Sequence, residues 1–128
     1  IRPWQFVLEP LHGYLLLAER LYRDPKTYSS EYNFGPNNDS NKSVLEVVEH
    51  ISSSWNIPYF IHQGKDIFHE ANILNLDISK SKKILQWEPN WSFEESINKT
   101  IQWYRKINSG GDPYKECLNN IKSFETEN

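Results

Sequence analysis

The chain has 128 residues, a formal net charge of -3 and a hydrophobic fraction of 38%. This charge argues against nucleic acid as a partner, because phosphate binding needs a clustered positive surface. No apolar run approaches the roughly 20 residues that span a bilayer, and no signal peptide is recognisable. The single cysteine, Cys117, forms no internal disulfide and suits a reducing cytosol, so we expect a cytoplasmic protein without membrane contact.

The first predicted unit is a strand followed by a helix. The letters RPWQFV are typical of a short strand, with aromatic and β-branched residues. Pro10 fits the first turn of a helix, and apolar residues at helical spacing extend that helix from about Glu9 to Tyr22. Tyr22 and Lys26 form a Y-x-x-x-K pair, a spacing known from proton-transfer sites. Because Pro25 lies between them and breaks the helix, we do not expect these two side chains to share a face.

The middle of the chain is predicted to alternate between loops and short elements. EYNFGPNNDSN indicates a strand end and a loop rich in turn residues. Ser43, with Glu46 three residues later, forms a capping box that opens a valine-rich helix. PYFIH is predicted as a short strand and ILNLD as a second extended segment, with an irregular loop between them. Ser79 is then expected to cap a helix that ends near Leu85.

The last part of the chain is predicted to be helical. WEPNW is interpreted as a turn that buries two indoles. Ser92 with Glu95 forms a second capping box, which opens an amphipathic helix. Asp112 followed by proline starts a final helix that ends near Phe124. The order of elements predicts an α/β fold that is mainly helical, with a few short strands and a sheet too small for a free-standing doubly wound domain.

Two pairs of residues are candidates for ligand binding. Arg2 and Trp4 alternate onto one side of an extended segment, where a guanidinium can hold phosphates while the indole packs on a sugar or base. The alternative is an edge-strand arginine beside a core tryptophan. His69 and Glu70 lie in the irregular loop, where a carboxylate can accept hydrogen bonds from a ribose diol. Here the alternative is a surface loop with a chance acidic pair.

Other common sites leave no recognisable pattern in the sequence. A glycine-rich phosphate loop, a zinc-type cluster of histidine and cysteine, and a serine or cysteine nucleophile motif are all missing. We therefore assign no catalytic residue and no metal ligand.

These motifs occur in an order that resembles the C-terminal part of the extended short-chain dehydrogenase/reductases that act on nucleotide sugars. The runs that carry the resemblance are RPWQFVLEPLHGYLLLAERLY, YNFGPNN, SVLEVVEHI and HEANILNLDISKSKKILQWEPNWSFEESINKTIQWY. The resemblance extends from residue 1 to about residue 122. The RPWQ and HEA runs are typical of the branch that dehydrates CDP-sugars, whereas the K-x-L-x-W-x-P ending is shared by the wider superfamily.

The resemblance implies that this part of the protein holds the nucleotide of the substrate, a CDP-sugar. By position, Arg2 matches the contact to the diphosphate, Trp4 the aromatic residue beside it, and Val44 the residue that lines the base. Glu70 matches the acid near the ribose, and His69 lies beside it. Many relatives carry an arginine shortly before that acid. Its absence here leaves the second phosphate contact unassigned.

The resemblance also implies a division of labour. Residues 1–25 would form a strand–helix unit that packs on a Rossmann domain, and residues 26–128 the nucleotide-sugar-binding lobe. The family's glycine-rich NAD turn and its catalytic tyrosine and lysine would precede Ile1. NAD is therefore expected in the complete enzyme, whereas the isolated chain is expected to bind NAD weakly or not at all and to have no dehydratase activity.

Two alternatives remain open from the sequence: another nucleotide-sugar epimerase, dehydratase or decarboxylase, and a non-catalytic binding or assembly module. In either case the apolar faces of residues 9–22 and of RPWQFV are expected to be exposed when the chain is alone. Exposed apolar patches favour self-association, so we expect a homo-oligomer.

Overall fold

The computed structural model describes residues 1–62 and 73–126, which form mainly helices. In chain order the elements are β1 (Arg2–Pro3), α1 (Leu8–Arg23), α2 (Pro25–Tyr28), β2 (Asn41–Lys42), α3 (Val44–Trp55), α4 (Phe93–Asn108) and α5 (Pro113–Thr126). A 3₁₀ turn, Asn38–Ser40, precedes β2, and a π-helical turn, Ser81–Leu85, precedes α4. β1 pairs with β2 in an antiparallel ladder. The predicted mainly helical α/β fold is confirmed.

The predicted helix caps account for where three helices begin. At α3 the Ser43 hydroxyl accepts from the backbone N–H of Glu46 at 3.2 Å, and the Glu46 carboxylate accepts from the backbone N–H of Ser43 at 2.7 Å. Ser92 and Glu95 form the same reciprocal box at α4. Asp112 accepts at 2.9 Å from the backbone N–H two residues later, at the start of α5. Each side chain satisfies a backbone donor that has no partner inside the helix.

Three local predictions are wrong, the first being the strand end in EYNF, since residues 31–34 join no ladder in the described part of the chain. Ser79 does not cap the helix that follows it, because Ser79 is already helical; its backbone N–H donates to the Asp77 carboxylate at 2.9 Å. The capping side chain is therefore Asp77, two residues earlier. PYFIH is not a strand, since residues 57–62 join no ladder within the described ranges. β-Branched and aromatic composition favours a strand only where a neighbouring strand supplies hydrogen bonds.

The core of the described residues contains two aromatic clusters, and the WEPNW turn contributes one indole to each. Trp87 packs edge-on against Phe34, with ring centroids 5.0 Å apart, in the cluster beneath α1. Trp91 lies between Phe6 at 4.9 Å and Phe124 at 5.2 Å in the second cluster. Trp87 and Trp91 are both buried, as predicted for this turn. The turn therefore connects the N-terminal segment, α1 and α5.

Glu9, in the first turn of α1, anchors that helix to the WEPNW turn. Its side chain is fully buried. One carboxylate oxygen accepts from the backbone N–H of Asn90 at 3.0 Å and of Trp91 at 2.9 Å, and the other accepts from Asn90 at 3.1 Å. Burial raises the pKa of Glu9 above its ordinary value of 4.5, while the hydrogen bonds from Trp91 and Asn90 oppose this rise.

The outward face of α1 is apolar and uncovered. Leu15 is 73% exposed and Tyr22 is 92% exposed, and Val7, Leu11 and Tyr14 share this face. The exposure predicted for the helix face is confirmed, whereas the exposure predicted for RPWQFV is wrong at Phe6, which is buried in the second cluster. None of the helices in the described ranges has the length and hydropathy of a membrane span.

The raised pKa of Glu9 predicts a specific pH dependence of stability. A raised native pKa means that the folded state binds this proton more tightly than the unfolded state. The contribution of Glu9 to the free energy of unfolding is therefore fully present below pH 4.5 and falls as the pH rises through the native pKa. Exposed carboxylates such as Asp24 and Glu46 have lowered pKa values and act in the opposite direction. Urea unfolding of the wild type and of Glu9→Gln at several pH values isolates the contribution of Glu9 to the free energy of unfolding.

We expect the stability of the wild type relative to Glu9→Gln to decrease as the pH rises from about 4 to 7. A difference that stays constant over this range would contradict the assignment.

Gly13 of α1 lies against the Phe34 ring, so we expect Gly13→Ala to destabilise the protein. A Cβ at this position would lie 2.3 Å from Phe34 Cδ1, which forces the ring or the helix to move. Overpacking of about 1–3 kcal/mol outweighs the helix-propensity gain of about 1 kcal/mol from alanine. Chemical denaturation measures the loss. When Phe34 is also replaced by leucine, Gly13→Ala should reduce the free energy of unfolding much less than it does in the wild type. An equal loss with Phe34 and with Leu at position 34 would contradict the contact.

The uncovered face of α1 predicts concentration-dependent self-association of the isolated chain. Light scattering should show the mean mass rising with concentration for the wild type, and Leu11→Glu/Leu15→Glu should suppress the rise. Tyr114→Glu is the matched control, because Tyr114 is 71% exposed but lies on α5. A wild type that stays monomeric at high concentration would refute the prediction.

Candidate functional site

The two-residue ladder places two cationic side chains next to each other. Arg2 of β1 lies directly opposite Lys42 of β2. Directly opposed residues of an antiparallel pair project to the same face of the ladder. The Arg2 guanidinium donates to the Ile1 carbonyl at 2.8 Å, and the Lys42 ammonium lies 5.8 Å from the centre of the Phe93 ring. Arg2 and Lys42 therefore place two positive charges on one face of the ladder.

Trp4 holds the N-terminal segment along β2. Its backbone N–H donates to the Ser40 carbonyl at 3.2 Å, and its indole N–H donates to the Lys42 carbonyl at 3.0 Å. The ring is partly buried. Trp4 thus fixes the position of the strand that carries Arg2, and the indole N–H is occupied by the protein itself.

Val44 is the first residue of α3 and lies two residues after Lys42. It is 61% exposed and so offers apolar surface beside the ladder. The start of a helix is the positive end of its dipole, which favours a nearby anion. The Ser43 N–H holds the pKa of Glu46 below its usual range, so Glu46 is ionised at neutral pH, 3.9 Å from the Lys42 ammonium. The surface around Arg2 therefore combines two cations with one carboxylate.

His69 and Glu70 lie outside the described residues, so three of the five predicted binding residues are placed. Arg2, Trp4 and Val44 lie along one path from β1 through β2 to the start of α3. Leu74, the second described residue after position 72, donates its backbone N–H to the Ile1 carbonyl at 3.2 Å. β1 therefore has neighbours on both sides, β2 and the segment that contains Leu74.

Lys42 is a residue that the sequence reasoning missed. It carries no motif of its own, and 39 residues separate it from Arg2 in the chain. Only the strand pairing brings the two together. The spacing of Lys42 two residues before a capped helix is a weak signal that could have drawn attention to it.

The described glycines do not fit an NAD-binding turn. Gly13 lies inside α1 against Phe34, and a Cβ at Gly35 would lie 2.9 Å from Leu76, so both serve close packing. Gly110 and Gly111 follow the end of α4. The pyrophosphate of a dinucleotide needs a glycine-rich turn between a strand and the start of a helix. None of these four glycines occupies such a turn.

The remaining candidates for chemistry also fail to assemble within the described ranges. α1 ends at Arg23 and Asp24 caps the separate helix α2, so Tyr22 and Lys26 do not belong to one helix. No group of three histidine, cysteine, aspartate or glutamate side chains comes together in residues 1–62 and 73–126 as a metal site requires.

The chain is similar over most of its length to an enzyme of nucleotide-sugar metabolism, although no family model matches it. It is 37% identical over 113 residues to CDP-glucose 4,6-dehydratase of Salmonella typhimurium, a match that covers 88% of this chain and 32% of that protein. This match confirms the resemblance that the motifs indicate.

Two further relatives act on other nucleotide sugars according to their names. The chain is 31% identical over 74 residues to UDP-glucuronate 4-epimerase of Thermodesulfobacterium geofontis, which covers 56% of this chain and 21% of that protein. It is 28% identical over 106 residues to UDP-glucuronic acid decarboxylase 1 of Xenopus tropicalis, and this match covers 82% of this chain and 23% of that protein. The chain spans about a third or less of the length of these relatives.

Proposed function

We propose that this chain, a relative of the nucleotide-sugar dehydratases and epimerases, is the nucleotide-binding part of a CDP-glucose 4,6-dehydratase. The similarity to the Salmonella enzyme supports the substrate class. The single structural observation that carries the proposal is the pairing of Arg2 with Lys42 beside the start of α3. A diphosphate is the anion that suits two adjacent cations.

Each proposed contact follows from the chemistry of its side chain. The Arg2 guanidinium offers a planar fork of donors to the phosphate oxygens, and Lys42 adds a point charge for the second phosphate. The exposed apolar surface of Val44 packs against the cytosine ring, and Trp4 lies beside the diphosphate. Glu70 accepts hydrogen bonds from the ribose hydroxyls, with His69 next to it.

In the complete enzyme the chain would hold the substrate while another part performs the redox chemistry. Residues 1–25 would pack on a Rossmann domain, and the uncovered apolar face of α1 supports this arrangement. NAD, bound by that other domain, supplies the oxidation and reduction that convert CDP-glucose to CDP-4-keto-6-deoxyglucose. The isolated chain is therefore inactive under this proposal, and the complete enzyme is a cytoplasmic homo-oligomer.

Two other functions remain candidates. A part of an epimerase or decarboxylase for a UDP-sugar is favoured by the matches to two such enzymes. A non-catalytic binding or assembly module would keep the fold without a nucleotide site. The three proposals differ in which nucleotide the chain binds.

Calorimetry with CDP, UDP and GDP tests the proposal, and we expect CDP to bind most tightly. Arg2→Ala and Lys42→Ala should each weaken CDP binding by about tenfold to a hundredfold, because each removes a charge-assisted contact of roughly 1.5–3 kcal/mol. Lys80→Ala is the matched control, since Lys80 pairs with Glu31 and Tyr32 away from the ladder. It should leave the affinity unchanged.

The other outcomes separate the candidates. Preference for UDP would favour the epimerase or decarboxylase, and no binding to any of the three nucleotides would favour the module. Unchanged affinity of both the Arg2 and Lys42 variants would exclude the ladder as the diphosphate site.

A further inference from the structure

A polar cavity lies between two segments that are far apart in the chain. Its volume is about 580 Å³, and it is bordered by residues 36–38 on one side and by residues 75–79 and Lys82 on the other. Small-molecule sites typically occupy roughly 300–1,000 Å³. Of the described residues assigned to the proposed diphosphate site, none lines this cavity, so the two sites are distinct.

Hydrogen bonds between side chains hold the two sides of this cavity together. The Asn75 amide donates to the side-chain carbonyl of Asn38 at 3.4 Å, and the Lys82 ammonium donates to the side-chain carbonyl of Asn37 at 3.0 Å. The chain itself therefore fixes the distance between the two sides, and the polar groups that line them face a common space.

The same bonds determine which atoms of Asn37 and Asn38 remain for a ligand. An ammonium group only donates, so the Asn37 atom that faces Lys82 is its oxygen. The Asn75 oxygen accepts from the Leu76 backbone N–H at 2.9 Å, so Asn75 turns its nitrogen toward the Asn38 oxygen. Asn37 and Asn38 are exposed, and their amide N–H groups have no partner in the part of the chain that the structure describes. One side thus offers two accessible donors.

The other side of the cavity offers acceptors. The hydroxyl and the backbone N–H of Ser79 hold the pKa of Asp77 below its usual range, so this exposed carboxylate is ionised at neutral pH. A carboxylate has about four lone-pair positions, so Asp77 keeps acceptor capacity beyond its contacts with Ser79. Among the described lining residues, Asp77 and Lys82 carry opposite charges that balance each other.

Hydroxyl groups suit this arrangement, because each one accepts and donates at the same time. An anion would be repelled by the Asp77 carboxylate and a cation by the Lys82 ammonium, whereas a neutral ligand meets neither penalty. Leu76 and Ile78 add apolar surface to the same cavity. A pyranose ring combines hydroxyls around its edge with C–H groups on its faces, and so matches both kinds of lining.

We propose that this cavity binds a neutral monosaccharide. Neighbouring hydroxyls accept from the Asn37 and Asn38 amides and donate to the Asp77 carboxylate, and one face of the ring packs on the apolar side chains. The site lies outside the proposed nucleotide site, so the proposal does not depend on the function proposed above.

An NMR titration of the intact chain with methyl α-glucoside tests the proposal. The side-chain amide signals of Asn37 and Asn38 should shift saturably, with a dissociation constant of about 1 mM, as expected for a small neutral ligand. Alanine, a zwitterion, and inorganic phosphate are the charged probes, and both should bind much more weakly. CDP should leave the saccharide affinity unchanged.

Two variants test the amide donors separately from the rest of the cavity. Asn37→Asp and Asn38→Asp keep the shape of the side chain and the oxygen that accepts within the protein, but replace the free donor by an acceptor. Each should weaken saccharide binding about tenfold, measured on the backbone signals of residues 75–79. Asn108→Asp is the matched control, because it adds the same charge at the exposed end of α4, away from the cavity. It should leave the affinity unchanged, and circular dichroism checks that each variant is folded.

Three results would overturn the proposal. Absence of a saturable shift with methyl α-glucoside excludes the ligand class. Tighter binding of alanine or phosphate shows that the charged groups select the ligand instead of the pattern of donors and acceptors. Unchanged affinity of both aspartate variants shows that the saccharide binds elsewhere. Since CDP binding is measured separately, each of these results leaves the proposed nucleotide site untouched.

Discussion

The arrangement of the chain depends on a buried carboxylate that binds a turn from a distant part of the sequence. Glu9 accepts hydrogen bonds from the backbone N–H groups of Asn90 and Trp91, more than 80 residues away. This contact lies between the two aromatic clusters, because the turn contributes Trp87 to one and Trp91 to the other. A hydrophobic contact alone would fix the distance between α1 and the turn but not their relative orientation. The carboxylate also fixes the direction in which α4 leaves the turn.

The anchoring of α1 by Glu9 also determines the position of the residues that are proposed to bind the diphosphate. α1 is held at its first turn, so the segment just before it has a fixed path. That segment contains β1, which pairs with β2 and places Arg2 opposite Lys42.

The sequence predicts well those features that depend on residues close together in the chain. Capping boxes have a fixed spacing of three residues, so Ser43 and Ser92 identify their helices without any tertiary information. The cap predicted at Ser79 is wrong because the helix has already begun there, and the Asp77 carboxylate accepts from the Ser79 backbone N–H. The strand predicted for PYFIH is wrong because a strand needs a hydrogen-bonded neighbouring strand, which composition does not reveal.

The features that the sequence does not predict are set by tertiary contacts. Glu9 has the pattern of an ordinary exposed acid in the first turn of a helix, and its burial follows from the turn that covers it. Lys42 becomes a candidate phosphate-binding residue only through strand pairing with Arg2. The roles of His69 and Glu70 stay predictions from the motif.

The Ile1 carbonyl oxygen links two segments that are far apart in the chain. It accepts from the Arg2 guanidinium and from the Leu74 backbone N–H, so the segment that contains Leu74 meets β1 beside the candidate diphosphate site. A substitution that displaces Leu74 would therefore also disturb the orientation of Arg2.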